Sequence, residues 1–405
     1  MSGRPFLQIP GPTNVPDRVL RAMDRAVIDH RSPEFGAMVK ALLPEVAKVF
    51  KSEQGKVVLY PASGTGAWEA ALVNTLAPGD RVLSFNNGHF STLFAEAARN
   101  LGIEVDEVPL EWGQGVPADL VEQKLRADKG SSGNAYKAVL VVHNETSTGV
   151  TSNVPAVRQA LDAAGHDALL IADTVSSLAS IDFRMDEWRV DVTLTGSQKG
   201  LMLPPGMALL CVGPRGLEAS KQGGSRRNFW DWDRIIADNA NGFFPYTPAT
   251  LLLFGLREAV TMLHEEGLEN VFARHQRLAD GVRAAVDAWG LKNLCANPAE
   301  VSNSLTAVVM PEGQDAGEVM RIAREKYDLA LGVGLGRIRG KVFRIGHLGA
   351  LNELEVIGML GGVELALAEA GVPIELGSGV AAAQRSFGAG RQAVAAATPV
   401  AAATR

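Results

Sequence analysis

The sequence predicts an α/β protein: a large domain on a mostly parallel seven-stranded sheet covered by helices, then a smaller α+β C-terminal domain. Three observations lead there. Seven short, near-continuous runs of Val, Leu and Ile recur through the first half of the chain, the signature of strands buried on both faces of a parallel sheet. Helix-like stretches separate most of these runs, as crossover connections require. After Trp289 the pattern changes to a sparser mix of strands and helices.

The elements follow in order. The N-terminal arm, residues 1–20, is rich in Pro and Gly and is expected to lie extended across a surface. PEFGAMVKALLPEVAKVF reads as a helix that Pro44 should kink or split. KVVLYPA is a strand, and GAWEAALVNTLA is a helix starting near Gly66 and closed by the turn PGD. RVLSFNN is a strand, and HFSTLFAEAARNLG is a helix with a glycine stop. IEVDEVPL and KAVLVVHNE are strands, and VPAVRQALDAAG is a helix with Pro155 near its start. DALLIADTV, VDVTLTGS and GMALLCVG complete the strands of the large domain, residues 21–265. A long helical stretch from about Pro248 to Trp289, broken near EEGLEN, leads out of it. The smaller domain, residues 266–375, holds NSLTAVVMP, DAGEVMRIAREKYD, KVFRIGHLG and NELEVIGMLGGVELALAEAG. The Ala/Gly-rich stretch 376–405 is expected to be a loosely held tail.

Composition excludes several classes. The 405 residues carry a net charge of −6 with no basic stripe, which argues against a nucleic-acid partner. The N-terminus lacks the apolar core of a signal peptide, and no apolar run reaches membrane-spanning length. Cys211 and Cys295 are the only cysteines, and they suit a reducing cytoplasm better than a disulfide framework. The seven histidines show no H-x₃-H or Cys/His spacing, so no metal is expected.

In a parallel sheet, ligands bind outside the carboxyl ends of the strands. Ser63, Glu145, Asp173 and Lys199 all fall at or just past such ends, so four segments converge on one crevice. In SGTGAW, Ser63, Gly64 and Thr65 precede a helix whose unpaired N–H groups and dipole favour an anion. The same residues taken alone also fit a Ser N-cap on a Gly-rich turn. Lys199, between VTLTGSQ and GLMLPPG, is placed for partial burial, which suits a neutral or imine-linked amine. Asp173 is either a turn cap or a carboxylate that keeps a ring nitrogen protonated. An amine, an acid and a phosphate loop at one crevice are what pyridoxal phosphate requires. Phe90 or His89 is placed to stack on the cofactor ring, and either also fits as a core aromatic. Thr146 and Glu145 lie where a ring hydroxyl or the substrate would be met, although a Ser/Thr-rich loop also fits turn chemistry alone. Arg344, inside an apolar strand, is the anchor expected for a substrate carboxylate. His347 reads as structural.

The stretches PGPTNVP, DHRSPEF, ASGTGAWEAAL, HNETSTG, ADTVSS, GSQKGLMLPPG, PYTPAT and FRIGHLG resemble the class V aminotransferases, a group of the pyridoxal-phosphate fold type I enzymes. Within that family the chain is most similar to the bacterial serine–glyoxylate branch. The resemblance implies Lys199 as the catalytic lysine and Asp173 as the partner of the ring nitrogen. It implies Ser63, Gly64, Thr65 and Gln198 around the phosphate, and Phe90 on the ring, where relatives often carry Trp. Thr146 would meet the ring hydroxyl and Arg344 the substrate carboxylate. Tyr246 and Thr247 would reach the partner subunit's cofactor phosphate across a homodimer or homotetramer interface. The implied reaction is ping-pong transamination between L-serine and glyoxylate. Alanine or another small amino acid as donor, or a catalytically silent relative of the fold, are the alternatives.

Overall fold

The apolar runs become strands, and most of the strands assemble into two separate sheets. The computed structural model describes residues 5–129, 135–222 and 224–397. The chain opens with β1 (Phe6–Gln8), α1 (Asp17–Met23) and α2 (Pro33–Val49). An alternation follows through β2 (Lys56–Tyr60), α3 (Gly64–Thr75), β3 (Arg81–Asn86), α4 (His89–Asn100), β4 (Glu104–Pro109), α5 (Ala118–Lys129) and β5 (Tyr136–Val142). Then come the small hairpin β6 (Asn144–Glu145) and β7 (Val150–Thr151), α6 (Val154–Ala164), β8 (Leu169–Asp173), β9 (Val192–Gly196) and β10 (Ala208–Val212). Helices α7 (Pro214–Lys221), α8 (Trp232–Asn239), α9 (Thr250–Glu266) and α10 (Leu268–Ala288) follow. The remainder is β11 (Lys292–Asn293), β12 (Leu305–Val309), α11 (Ala316–Tyr327), β13 (Leu329–Val333), β14 (Val342–Gly346), α12 (Glu353–Glu369) and α13 (Ser378–Ala397).

The larger sheet has seven strands in the order β2-β10-β9-β8-β5-β3-β4. Neighbours from β9 to β4 pair in parallel, and β10 runs antiparallel to both β9 and β2. Every strand except β10 therefore shares one direction, and their carboxyl ends line one edge. Strands β8, β9 and β10 are buried at every residue, which is why they read as unbroken apolar runs. The second sheet has five strands in the order β1-β13-β14-β12-β11. The N-terminal arm thus does more than cross a surface. Its β1 is an edge strand, with Leu7 in register with Ala330 and Gln8 with Leu331. Residues 1–4 of that arm lie outside the described residues.

Three expectations are corrected. Helix α2 is continuous through Pro44 rather than split. A mid-helix proline costs ~3 kcal/mol, but α2 buries Phe35, Met38, Val39, Leu42, Val46 and Val49 along one face. Each such side chain contributes about 1.5–3 kcal/mol, so packing outweighs the missing N–H. Helix α3 begins at Gly64, two residues before the expected start. The stretch expected to be a loose tail is helical to Ala397, with Ala383 and Phe387 in the core formed by α10, α12 and the second sheet. Phe387 packs so closely on α10 that a Cβ on Gly281 would lie 2.2 Å from its ring. Alanine-rich composition is a strong helix former, and the Glu364 carboxylate accepts the N–H groups of Gly377, Gly379 and Val380 at the start of α13. Residues 398–405 lie outside the described residues.

Candidate active site

The site is assembled at the carboxyl edge of the larger sheet. Strand β9 ends at Gly196, and the following loop is folded back on itself by Ser197. The Ser197 hydroxyl donates to the Pro204 carbonyl at 2.7 Å and accepts from Met207 N–H at 3.2 Å. The loop projects Lys199 into the interior, where it is 8% exposed. Its amine donates to the Pro10 carbonyl of the N-terminal segment. Thr13 fastens that segment to the loop, through N–H to the Gln198 carbonyl at 3.1 Å and Oγ1 to the Lys199 carbonyl at 3.1 Å. Gly11 lies directly on the lysine: with φ of +105°, a Cβ there would sit 2.4 Å from Lys199 Cδ. Burial pushes the Lys199 amine down to about 7, the Arg344 cation adds to the push, and Asp173 opposes it.

Asp173 closes β8. Its Oδ2 accepts the Trp68 indole N–H at 2.7 Å, and its Oδ1 accepts Val175 N–H at 2.7 Å. Burial raises this carboxyl to about 6 against the pull of those two donors. At the start of α3, Ser63 has an extended backbone and makes no side-chain cap. The N–H groups of Gly64, Thr65 and Gly66 have no acceptor among the described residues. Close approach is built in at Gly196, where a Cβ would lie 2.8 Å from Gln198 Oε1 and 3.4 Å from Gly64 N. Gln198 Oε1 is buried without a partner.

These residues surround an inner cavity of about 140 Å³ reached by Ser63, Gly64, Thr65, Asp173, Gln198 and Lys199, with Trp68 and Val175 among its walls. Phe90, Thr146 and Lys199 also border an outer cavity of about 510 Å³, which Arg344 lines. Phe90 faces both cavities and His89 neither. Thr146 Oγ1 donates to Ser176 Oγ at 2.6 Å, and Ser176 in turn donates to the Asn144 carbonyl at 2.9 Å. Arg344 pairs across the second sheet with Gly332 and Ala307. Its Nε donates to the Val333 carbonyl at 2.9 Å and its Nη1 to the Thr146 carbonyl at 2.7 Å. It is 6% exposed and has no carboxylate partner among the described residues. Burial lowers it to about 10 with Glu145 opposing, so it stays cationic at neutral pH.

Two expected residues lie outside both cavities of this chain. Tyr246 packs against Phe229 and Phe244 and donates to the Leu59 carbonyl at 2.7 Å, and Thr247 is exposed. Glu145 lines neither cavity. Its carboxylate accepts Phe90 N–H at 3.3 Å, Ser91 N–H at 2.8 Å and Ser147 N–H at 2.9 Å, so it caps α4 and fixes Phe90. His347 is structural, buried between Thr306 and the Asn303 carbonyl. Sequence reasoning passed over Trp68, Asn144, Ser176 and the Pro10–Gly11 segment. For Trp68 a signal existed: it stands four residues after Gly64, hence on the same helix face.

The arrangement fits pyridoxal phosphate. Free N–H groups at a helix start suit its phosphate. The orphaned Gln198 amide presents NH₂ donors there after a half-turn, since the two ends of an amide are interchangeable in shape. An amine near neutrality suits its aldehyde, and a buried acid suits its ring nitrogen.

Comparison with known proteins gives the same picture. The class-V aminotransferase family model matches residues 6–336. A serine–glyoxylate aminotransferase of Methylorubrum extorquens is 51% identical, covering 94% of this chain and 95% of that one. An L-aspartate–glyoxylate aminotransferase of Paracoccus denitrificans is 50% identical, covering 96% of this chain and 97% of that one. Among solved structures, the ureidoglycine–glyoxylate aminotransferase of Bacillus subtilis superposes with a TM-score of 0.88 at 27% identity, covering 96% of this chain and 99% of that one. A match over most of the length, on a fold whose strand edge gathers a buried lysine, an acid and a row of free N–H groups at a helix start, makes this chain a member of the class-V aminotransferase family, which works with pyridoxal phosphate.

Proposed function

We propose that the chain transfers the amino group of L-serine to glyoxylate, giving hydroxypyruvate and glycine. The observation that carries this reading is Arg344, a buried guanidinium with no carboxylate partner among the described residues, opening into the same cavity as Lys199. A 2-amino or 2-oxo acid brings the missing carboxylate. Serine as donor is supported by the serine–glyoxylate relative at 51% identity. A second reading, L-aspartate as donor, is favoured by the Paracoccus relative and by Arg324. That guanidinium lines the outer cavity without an ion pair among the described residues, and it suits a second carboxylate.

Bound pyridoxal phosphate supplies an aldehyde that takes up the amino group and a ring that accepts the electron pair left at Cα. Gly64, Thr65 and Gln198 hold its phosphate, and Phe90 covers its ring. Asp173 keeps a proton at the ring nitrogen. Arg344 grips the substrate carboxylate through paired N–H donors. Lys199 Nζ, brought by burial into a range where a neutral amine is populated near neutrality, takes the Cα proton of serine and later returns a proton to the carbon that was the carbonyl of glyoxylate. Across both halves the C–N bond of serine is lost and that of glycine is made. Serine is oxidised and glyoxylate reduced, so no external redox partner is needed.

The reading extends to a homodimer or a homotetramer built from two dimers, with Tyr246 and Thr247 completing the partner's phosphate site. It also extends to the cytoplasm, which the free, buried thiols of Cys211 and Cys295 suit. No described helix is long and apolar enough to cross a membrane. The test is initial-rate kinetics with serine and glyoxylate varied together, followed by hydroxypyruvate formation. Parallel double-reciprocal lines are expected. Intersecting lines, or turnover with aspartate far above serine, would replace this reading.

A further inference from the structure

Trp68 has no role in the steps above, yet it touches their central acid. It sits in the second turn of α3, four residues after Gly64, so one helix face presents both the phosphate cradle and the indole. The indole is 4% exposed, and its N–H reaches Asp173 Oδ2 at 2.7 Å. The ring cannot swing away. It stacks on Phe94 of α4 with centroids 5.5 Å apart and planes 16° from parallel. Asp173 has two protein donors among the described residues, and the other is Val175 N–H.

The geometry points to Trp68 as the positioning residue for Asp173: its indole N–H holds the carboxylate ionised and fixed in orientation for the cofactor's ring nitrogen. This rests on the cofactor reading above. Burial works against ionisation of Asp173, and so does the nearby Glu145 carboxylate; Lys199 works for it along with the two donors. A hydrogen bond to a charged acceptor is worth more than one between neutral groups, so removing the indole N–H shifts the balance toward the neutral acid. A neutral acid is a poor partner for a cationic ring nitrogen. Because α3 also carries the phosphate cradle, Trp68 ties the two ends of the cofactor site to one rigid element.

The experiment is titration of apoprotein with pyridoxal phosphate across pH, for the native chain, Trp68→Phe and Phe94→Leu. Trp68→Phe keeps the aromatic stack and loses only the donor. Its dissociation constant should rise about twofold near neutrality and about tenfold near pH 5. The acidic limb of its affinity profile should move up by about one pH unit, and affinity should approach the native value at alkaline pH. Phe94→Leu loosens the stack and leaves the N–H in place; it should lower the thermal midpoint without moving that limb. A Trp68→Phe profile that coincides with the native one would overturn the inference, as would a loss of affinity equal at every pH. A native chain that captures no cofactor would overturn the function and this inference together. A native chain that binds while Trp68→Phe titrates unchanged would overturn the inference alone.

Discussion

Replacing Arg344 with glutamine should separate activity from stability. In the folded chain the guanidinium is 6% exposed, bonded to the carbonyls of Val333 and Thr146, and unneutralised by any carboxylate among the described residues. Burying an unpaired cation costs several kcal/mol, while each hydrogen bond from it returns roughly 1.5–3 kcal/mol. The two terms nearly cancel, so Arg344→Gln should change folding stability by about 1 kcal/mol or less. Activity is a different matter. The substrate carboxylate loses a pair of charge-assisted bonds and keeps at most one neutral one, a loss of about 3–4 kcal/mol. That corresponds to a fall of roughly two to three orders of magnitude in kcat/KM. Both half-reactions should suffer, because donor and acceptor each carry the carboxylate. The assay is steady-state kinetics with each substrate varied at saturating partner, alongside urea denaturation. A variant within about threefold of native kcat/KM would refute the assignment, since it would lie below the ~1.4 kcal/mol worth of one decade. A variant that simply unfolds would refute the balance of terms.

Other consequences follow from the same geometry. Burial holds the Lys199 pKa at about 7 against an ordinary 10.5. The unfolded chain therefore binds more protons between those values, and this group adds stability to the apoprotein as pH rises through them, by up to about 1.4 kcal/mol per unit. Lys199→Met should lose that rise in urea midpoint; a native-minus-variant difference that stays flat from about pH 7 to 10 would contradict it. Gly11→Ala places a Cβ 2.4 Å from Lys199 Cδ at a φ of +105°. It should cut kcat at least about tenfold while leaving the fold intact by circular dichroism, and native turnover would show that the segment is not seated on the lysine. Phe387→Ala should cost about 3–5 kcal/mol in denaturant unfolding, because the ring is 5% exposed and packs on α10. A negligible change would return the C-terminal stretch to the status of a loose tail.

How legible all this is in the sequence depends on the range of the interaction. Strands β8, β9 and β10 are buried on both faces, so burial writes itself as unbroken apolar runs, and the loops at their ends follow. Gly64 and Lys199 are readable because glycine before a helix and lysine after an apolar strand are local anomalies. Trp68 is readable only through its four-residue spacing from Gly64, because a tryptophan in a helix is ordinarily core and its acceptor lies 105 positions away. Glu145 misleads for a similar reason: a buried acid at a strand end looks chemical until the N–H groups of α4 are found around it. Strand β1 is only three residues long and is defined by its partner Leu329–Leu331, so no local pattern announces it. In α13 low complexity masked a helix, since alanine gives propensity without periodicity and Phe387 supplies the anchor.

The most direct measurement is covalent. Protein loaded with pyridoxal phosphate, reduced with borohydride and digested, should yield a single phosphopyridoxyl peptide with the group on Lys199, and Lys199→Ala should yield none. Modification at a different lysine, or none in the native chain, would contradict the assignment of the amine at the end of β9 as the reacting group.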